Sequence, residues 1–151
     1  APPRRPWSRL MPLKLSLKPG EKFVLNGAVV QNGERRGVLI LQNKASVLRE
    51  KDIMQAEEAN SPARRIYFPV MMMYLDEAGA ARFFDEFAHR LNEFMSVIGN
   101  AAVLADCVSV SRCVMAREYY KALMLCRRLI EYEDERLRNV ATGLPKGGGA
   151  G

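Results

Sequence analysis

The chain reads as an α+β protein, with a small antiparallel β-sheet, meander-like or barrel-like, followed by a bundle of about three to four helices. Three observations predict this. Between Leu13 and Glu50 short apolar runs are cut by Pro19-Gly20, Asn26-Gly27 and Asn32-Gly33, the punctuation of strands and tight turns. Beyond Asp52 the apolar period lengthens to that of helices, with Ser61-Pro62 as a helix start. Finally, 151 residues with 48% hydrophobic and 26% charged side chains suffice for one globular domain or two small lobes.

Leu13, Leu15 and Leu17 alternate with Lys14, Ser16 and Lys18, which predicts a half-buried first strand ended by Pro19-Gly20. Lys22 to Leu25 and Ala28 to Gln31 flank Asn26-Gly27, a dipeptide that tolerates positive φ and so suits a two-residue hairpin. The run Val38-Leu39-Ile40-Leu41 reads as a central strand within Gly37 to Gln42, and Ala45 to Leu48 as a short fifth. Ser61 caps a helix whose first residue is Pro62. Pro69 should kink or interrupt the segment Ala63 to Leu75, for which a buried strand is the alternative. From Ala80 to Ile98 the residues Phe83, Phe84, Phe87, Leu91, Phe94, Met95 and Ile98 form an apolar stripe opposite Arg82, Asp85, Glu86, Arg90 and Glu93. Gly99-Asn100 ends that helix, and Ala101 to Met115 and Tyr119 to Arg138 read as two more. The expected organisation is a disordered extension over 1–10, a basic β module over 11–54, a helical module over 61–139 and a flexible Gly-rich tail over 140–151.

Catalytic constellations are not visible, so the chain is read as a binding protein and not an enzyme. His89 is the single histidine and is assigned no role. Cys107, Cys113 and Cys126 lack metal-ligand spacing and read as buried thiols; no metal and no cofactor is expected. Asp85-Glu86 and Glu133 to Glu135 read as solvated helix faces, and the glycines form no phosphate loop. The run Met71-Met72-Met73 reads as core filler. No stretch is long and apolar enough to span a bilayer, and the cysteine usage suits a reducing cytoplasm.

Charge is unevenly placed. Of 23 basic and 17 acidic residues, 13 and 6 fall within residues 1–65, and 10 and 11 beyond. A basic half built from strands points to an acidic polymer, and guanidinium groups suit RNA because they fork to phosphates and stack on unpaired bases.

Four strings carry a resemblance to a known family: MPLKLSLKPG from Met11, VLILQNKASVLREKDIM from Val38, ARRIYF from Ala63 and YYKALMLCRRLIE from Tyr119. Through them the chain resembles the FlbT family of flagellar regulators. The resemblance implies a cytoplasmic repressor of flagellum biogenesis that binds the 5′ untranslated leader of flagellin mRNA, represses its translation and promotes its degradation. It also implies a FlaF-type regulator or flagellin as further partners, and leaves a homo-oligomer open. The alternative reading is an adaptor or chaperone for flagellin or a flagellar regulator that does not bind RNA.

The order of Leu15, Pro19-Gly20-Glu21, the hairpin and Ser46-Val47-Leu48-Arg49-Glu50 is also similar to the small carbon storage regulators, which by analogy sets Leu15 and Arg49 beside bound RNA. The expected RNA contacts are therefore Lys14, Leu15, Arg35, Arg36, Lys44, Arg49 and Lys51, with Arg49 nearest the bases and Arg64 and Arg65 as secondary candidates.

Overall fold

A computed structural model describes residues 13–141. The expectations for segment 1–10 and for all but the first two residues of the tail 140–151 lie outside the described residues. The chain divides into two compact units between Ile53 and Met54.

The first unit holds β1 (Leu13–Leu17), β2 (Lys22–Leu25), β3 (Ala28–Gln31), β4 (Gly37–Leu41) and β5 (Val47–Arg49). All observed pairings are antiparallel, but the strands divide into two small sheets, one ordered β1-β4 and the other β3-β2-β5. A simple meander would pair β1 with β2 and β3 with β4. Here only β2 and β3 pair as sequence neighbours, joined by a two-residue turn. Asn26 at φ 49° and Gly27 at φ 82° make that turn, and a turn with both central residues at positive φ matches the right-handed twist of the strands it joins. The β4 segment, expected as a central strand, pairs with β1 alone and is an edge strand, with Val38 63% and Ile40 47% exposed. Leu17, Phe23, Val24 and Leu48 are buried.

The second unit begins with a 3-10 turn over Ala56–Glu58, closed by a capping box in which the Gln55 amide donates to Glu58 Oε1 at 2.9 Å. Four helices follow: α1 (Pro62–Leu75), α2 (Ala81–Val97), α3 (Ala101–Met115) and α4 (Tyr119–Ala141). α1 packs on α2 and α4, and α3 packs on α4. Contrary to the sequence expectation, α1 runs through Pro69 without a break, and no strand forms there. Pro69 removes one backbone bond, yet Ile66, Tyr67, Val70, Met71 and Met73 around it are buried, and that apolar burial outweighs the local cost of about 3 kcal/mol.

The α1 N-terminus is closed twice. Ser61 Oγ accepts from the Arg64 amide at 3.3 Å, and Glu133 Oε2, from α4, accepts from the Ala63 amide at 2.9 Å. Phe87, Leu91 and Phe94 carry the buried stripe of α2, Val103, Cys107, Val110 and Val114 that of α3, and Ala122, Leu123, Cys126 and Leu129 that of α4. Burial, with a smaller push from Asp106, raises the Cys107 thiol to about 11, and burial raises that of Cys126 as well. Neither thiol ionises near neutrality.

Candidate nucleic-acid interface

The cations singled out in the sequence do not form one cluster. β1 and β4 pair so that Lys14 faces Ile40 and Ser16 faces Val38, and since strand side chains alternate, these four share one face of the ribbon. All four are exposed. Leu15 lies opposite Leu39 and points to the other face with Leu13, Leu17 and Leu41. Lys14 and Leu15 therefore address opposite sides of the same strand.

Arg35 and Arg36 precede β4 at the end where Gly37 pairs with Leu17, and Lys44 follows β4 beyond the Leu13–Leu41 end. All three side chains are exposed. The Asn32 carboxamide nitrogen ties the Arg35 turn to β1 by donating to the carbonyls of Lys18 (2.8 Å), Arg35 (2.9 Å) and Leu17 (3.4 Å). Lys51 sits elsewhere, in a 3-10 turn over Glu50–Asp52, where it lines a shallow depression with Lys18, Pro19, Gly20, Glu21 and Glu50. Two lysines and two glutamates balance there. Glu50 is itself engaged, accepting from the Lys22 amide at 2.8 Å.

Arg49 is engaged within the fold. Its Nε and Nη2 fork onto Glu21 Oε2 and Oε1, each at 3.0 Å, and Nη2 also donates to the Ser16 carbonyl. The fork ties β5 to the Pro19-Gly20 turn, and the Ser16 bond ties it to β1. The Lys18 amide first, and Arg49 after it, hold the Glu21 carboxyl below its ordinary range. Arg64 lies on α1 in the second unit and forks onto Asp134 Oδ1 and Oδ2, each at 2.9 Å, with Glu133 Oε1 at 3.6 Å. Its neighbour Arg65 is half-buried.

Four of the exposed cations singled out in the sequence, Lys14, Arg35, Arg36 and Lys44, have no ion pair among the described residues and are spread along β1–β4, with Val38 and Ile40 exposed between them. Sequence reasoning missed Val38, Ile40 and Asn32. The continuous apolar run hid the first two, because it carries no alternation to show that one face is open. Among the described residues no group of His, Cys, Asp or Glu side chains is arranged to hold a metal ion, and no helix is long and apolar enough to cross a membrane.

The described residues thus form an α+β protein that carries several of its exposed cations along an open two-stranded ribbon. A family model described as flagellar protein FlbT matches residues 13–137, and the chain belongs to that family. It is 74% identical over 141 residues to the probable flagellum biosynthesis repressor protein FlbT of Caulobacter vibrioides (strain NA1000 / CB15N), covering 93% of this chain and 100% of that one. The protein of the same name from Caulobacter sp. (strain K31) is 76% identical over 131 residues, 87% of this chain and 100% of its own. That of Rhodopseudomonas palustris (strain TIE-1) is 35% identical over 127 residues, covering 84% and 98%. No solved structure matches the chain.

Proposed function

We propose that this protein represses flagellum biosynthesis after transcription, by holding the 5′ untranslated leader of flagellin mRNA, lowering its translation and promoting its degradation in the cytoplasm. Repression is the activity in the relatives' names. The observation that supports an RNA-holding surface is the open face of β1–β4. Lys14 stands beside Val38 and Ile40 at its centre, Arg35 and Arg36 lie at one end and Lys44 at the other. Unpaired cations spaced along a strand pair suit successive phosphates of a single strand or loop, and exposed aliphatic side chains between them suit unstacked bases. Lys51 serves as an outlying phosphate contact. Arg49 braces the module through Glu21 and the Ser16 carbonyl, and Lys14, Val38 and Ile40 lie nearest the bases.

A gel shift of the full chain against the flagellin leader at low salt tests the reading. Binding should weaken steeply as salt rises, and Lys14→Ala and Arg36→Ala should each lower the slope of log affinity against log salt by about 1. No shift at low salt, or a slope unmoved in both variants, overturns the proposal.

A further inference from the structure

The second unit carries a cleft that the RNA reading does not use. It has a volume of about 540 Å³ and lies where the α1–α2 corner meets the α3–α4 turn. Met73, Ala80, Val114 and Tyr119 floor it and are all buried, while Phe84 and Met115 stand at its edge 39% and 68% exposed. Phe84 is braced from behind by Phe87, ring centroids 6.2 Å apart.

Both walls are held in place. On one, Asp76 Oδ1 accepts from the Gly79 amide at 3.1 Å, and Arg82 Nη2 meets Asp76 Oδ2 at 2.8 Å. That pair closes over Gly79 so tightly that a Cβ there would lie 2.5 Å from Asp76 and 2.8 Å from Arg82. On the other, α3 ends in a Schellman motif, Glu118 N–H to Cys113 O at 2.8 Å and Arg117 N–H to Val114 O at 3.0 Å. Its left-handed residue is Arg117 at φ 60°, where glycine is the usual occupant. An arginine is thereby kept at the rim at a conformational cost.

Charge decides what the cleft accepts. Its polar rim is Glu77 and Asp85 on the α2 side and Arg117 on the α3–α4 side. None of these three has an ion-pair partner among the described residues, although nearby Arg82, Arg90 and Lys121 are all paired. Tyr119, only 8% exposed, also lines the cleft. Two carboxylates disfavour a nucleic-acid phosphate, and the open apolar floor disfavours a small polar ligand.

We propose that this cleft docks an amphipathic helix of a protein partner. The helix's apolar stripe lies on Met73, Val114 and Tyr119 between Phe84 and Met115, with a Lys or Arg on one flank meeting Glu77 and Asp85 and an Asp or Glu on the other meeting Arg117. Helix-in-groove recognition uses apolar anchors in this way, and an exposed Met adapts to their shape. The proposal stands independently of RNA binding by the β module.

The test uses the full chain and a fluorescein-labelled amphipathic peptide with a Leu stripe, Arg on one flank and Glu on the other, read by anisotropy and by the methyl resonances of Met73 and Met115. Saturable binding with a Kd of about 10–100 μM is expected, in the range of weak transient contacts, with shifts at both methyls. Met115→Glu and Arg117→Glu, both exposed and so compatible with folding, should each weaken it about tenfold. A scrambled peptide lacking the stripe should not bind. Failure of the amphipathic peptide to bind up to about 1 mM, or equal binding by the two variants, overturns the proposal. Displacement of the peptide by leader RNA with unchanged Met115 shifts on RNA addition would also count against it, by assigning the binding to another surface.

Discussion

Arg49 and Glu21, 28 residues apart in the chain, form a two-pronged ion pair with both contacts at 3.0 Å. The pair is partly shielded, Arg49's side chain being 31% and Glu21's 14% exposed, so it joins β5 to the Pro19-Gly20 turn more firmly than a surface pair would.

Removing Arg49 should therefore act first on the fold. Arg49→Ala is expected to lower stability by about 1–2 kcal/mol in urea unfolding, and Arg49→Lys to recover little, because an ammonium cannot fork onto both oxygens. A double-mutant cycle with Glu21→Ala should return a favourable, non-zero coupling. Zero coupling, together with lost RNA selectivity in a folded Arg49→Ala protein, would return Arg49 to the RNA surface.

Acid should loosen both units. Glu21 is held below its ordinary range by the Lys18 amide and Arg49, and Asp134 by its hydrogen bonds from Arg64. Carboxyl groups with depressed folded-state values contribute stability in full above the ordinary carboxylate range and lose it as pH falls through their folded values. Urea midpoints should hold steady from neutrality down to about pH 5 and fall below about pH 4, with a shallower fall in Asp134→Asn. A midpoint that rises on acidification would contradict the assignment.

The doubly closed start of α1 gives a separate handle on the helical unit. Ser61→Ala should cost about 1 kcal/mol through the lost cap. Glu133→Ala should cost about 1–2 kcal/mol, since it frees the Ala63 amide and removes a carboxylate from the positive end of the helix. Thermal unfolding followed by circular dichroism reads both; two unchanged midpoints would show that the caps contribute nothing measurable.

At the end of α3, Arg117→Gly should raise stability by about 1 kcal/mol, because glycine adopts φ 60° without the clash between Cβ and backbone. Arg117→Ala should bring no such gain, since alanine keeps the Cβ. A glycine variant less stable than the parent would show that the Arg117 side chain itself stabilises the turn.

Much of the local structure was legible in the residues. The Leu13-Leu15-Leu17 alternation, Asn26-Gly27 and Ser61-Pro62 each act within a few positions, through side-chain periodicity, tolerance of positive φ and a fixed proline φ. All three lie where expected. The α2 stripe was legible for the same reason, although Phe84 proves half exposed and borders the cleft. Pro69 misled because its local rule is strong, and only the burial of its neighbours overrides it.

The candidate site was less legible. A basic residue reads the same in sequence whether its charge faces solvent or a carboxylate. Arg49 and Arg36 are equivalent in the sequence, yet only Arg49 has Glu21 beside it, and Arg64 meets Asp134 from 70 positions away. By itself the sequence determined the elements, the excess of cations in the first half and the family resemblance, since these depend on composition and short-range pattern. Tertiary structure alone decided that β4 is an open edge beside β1, that Arg49 and Arg64 are committed to ion pairs, and that Arg117 stands unpaired at a cleft. Those outcomes depend on which distant groups meet, and chain closure over tens of residues leaves no periodic mark in the sequence.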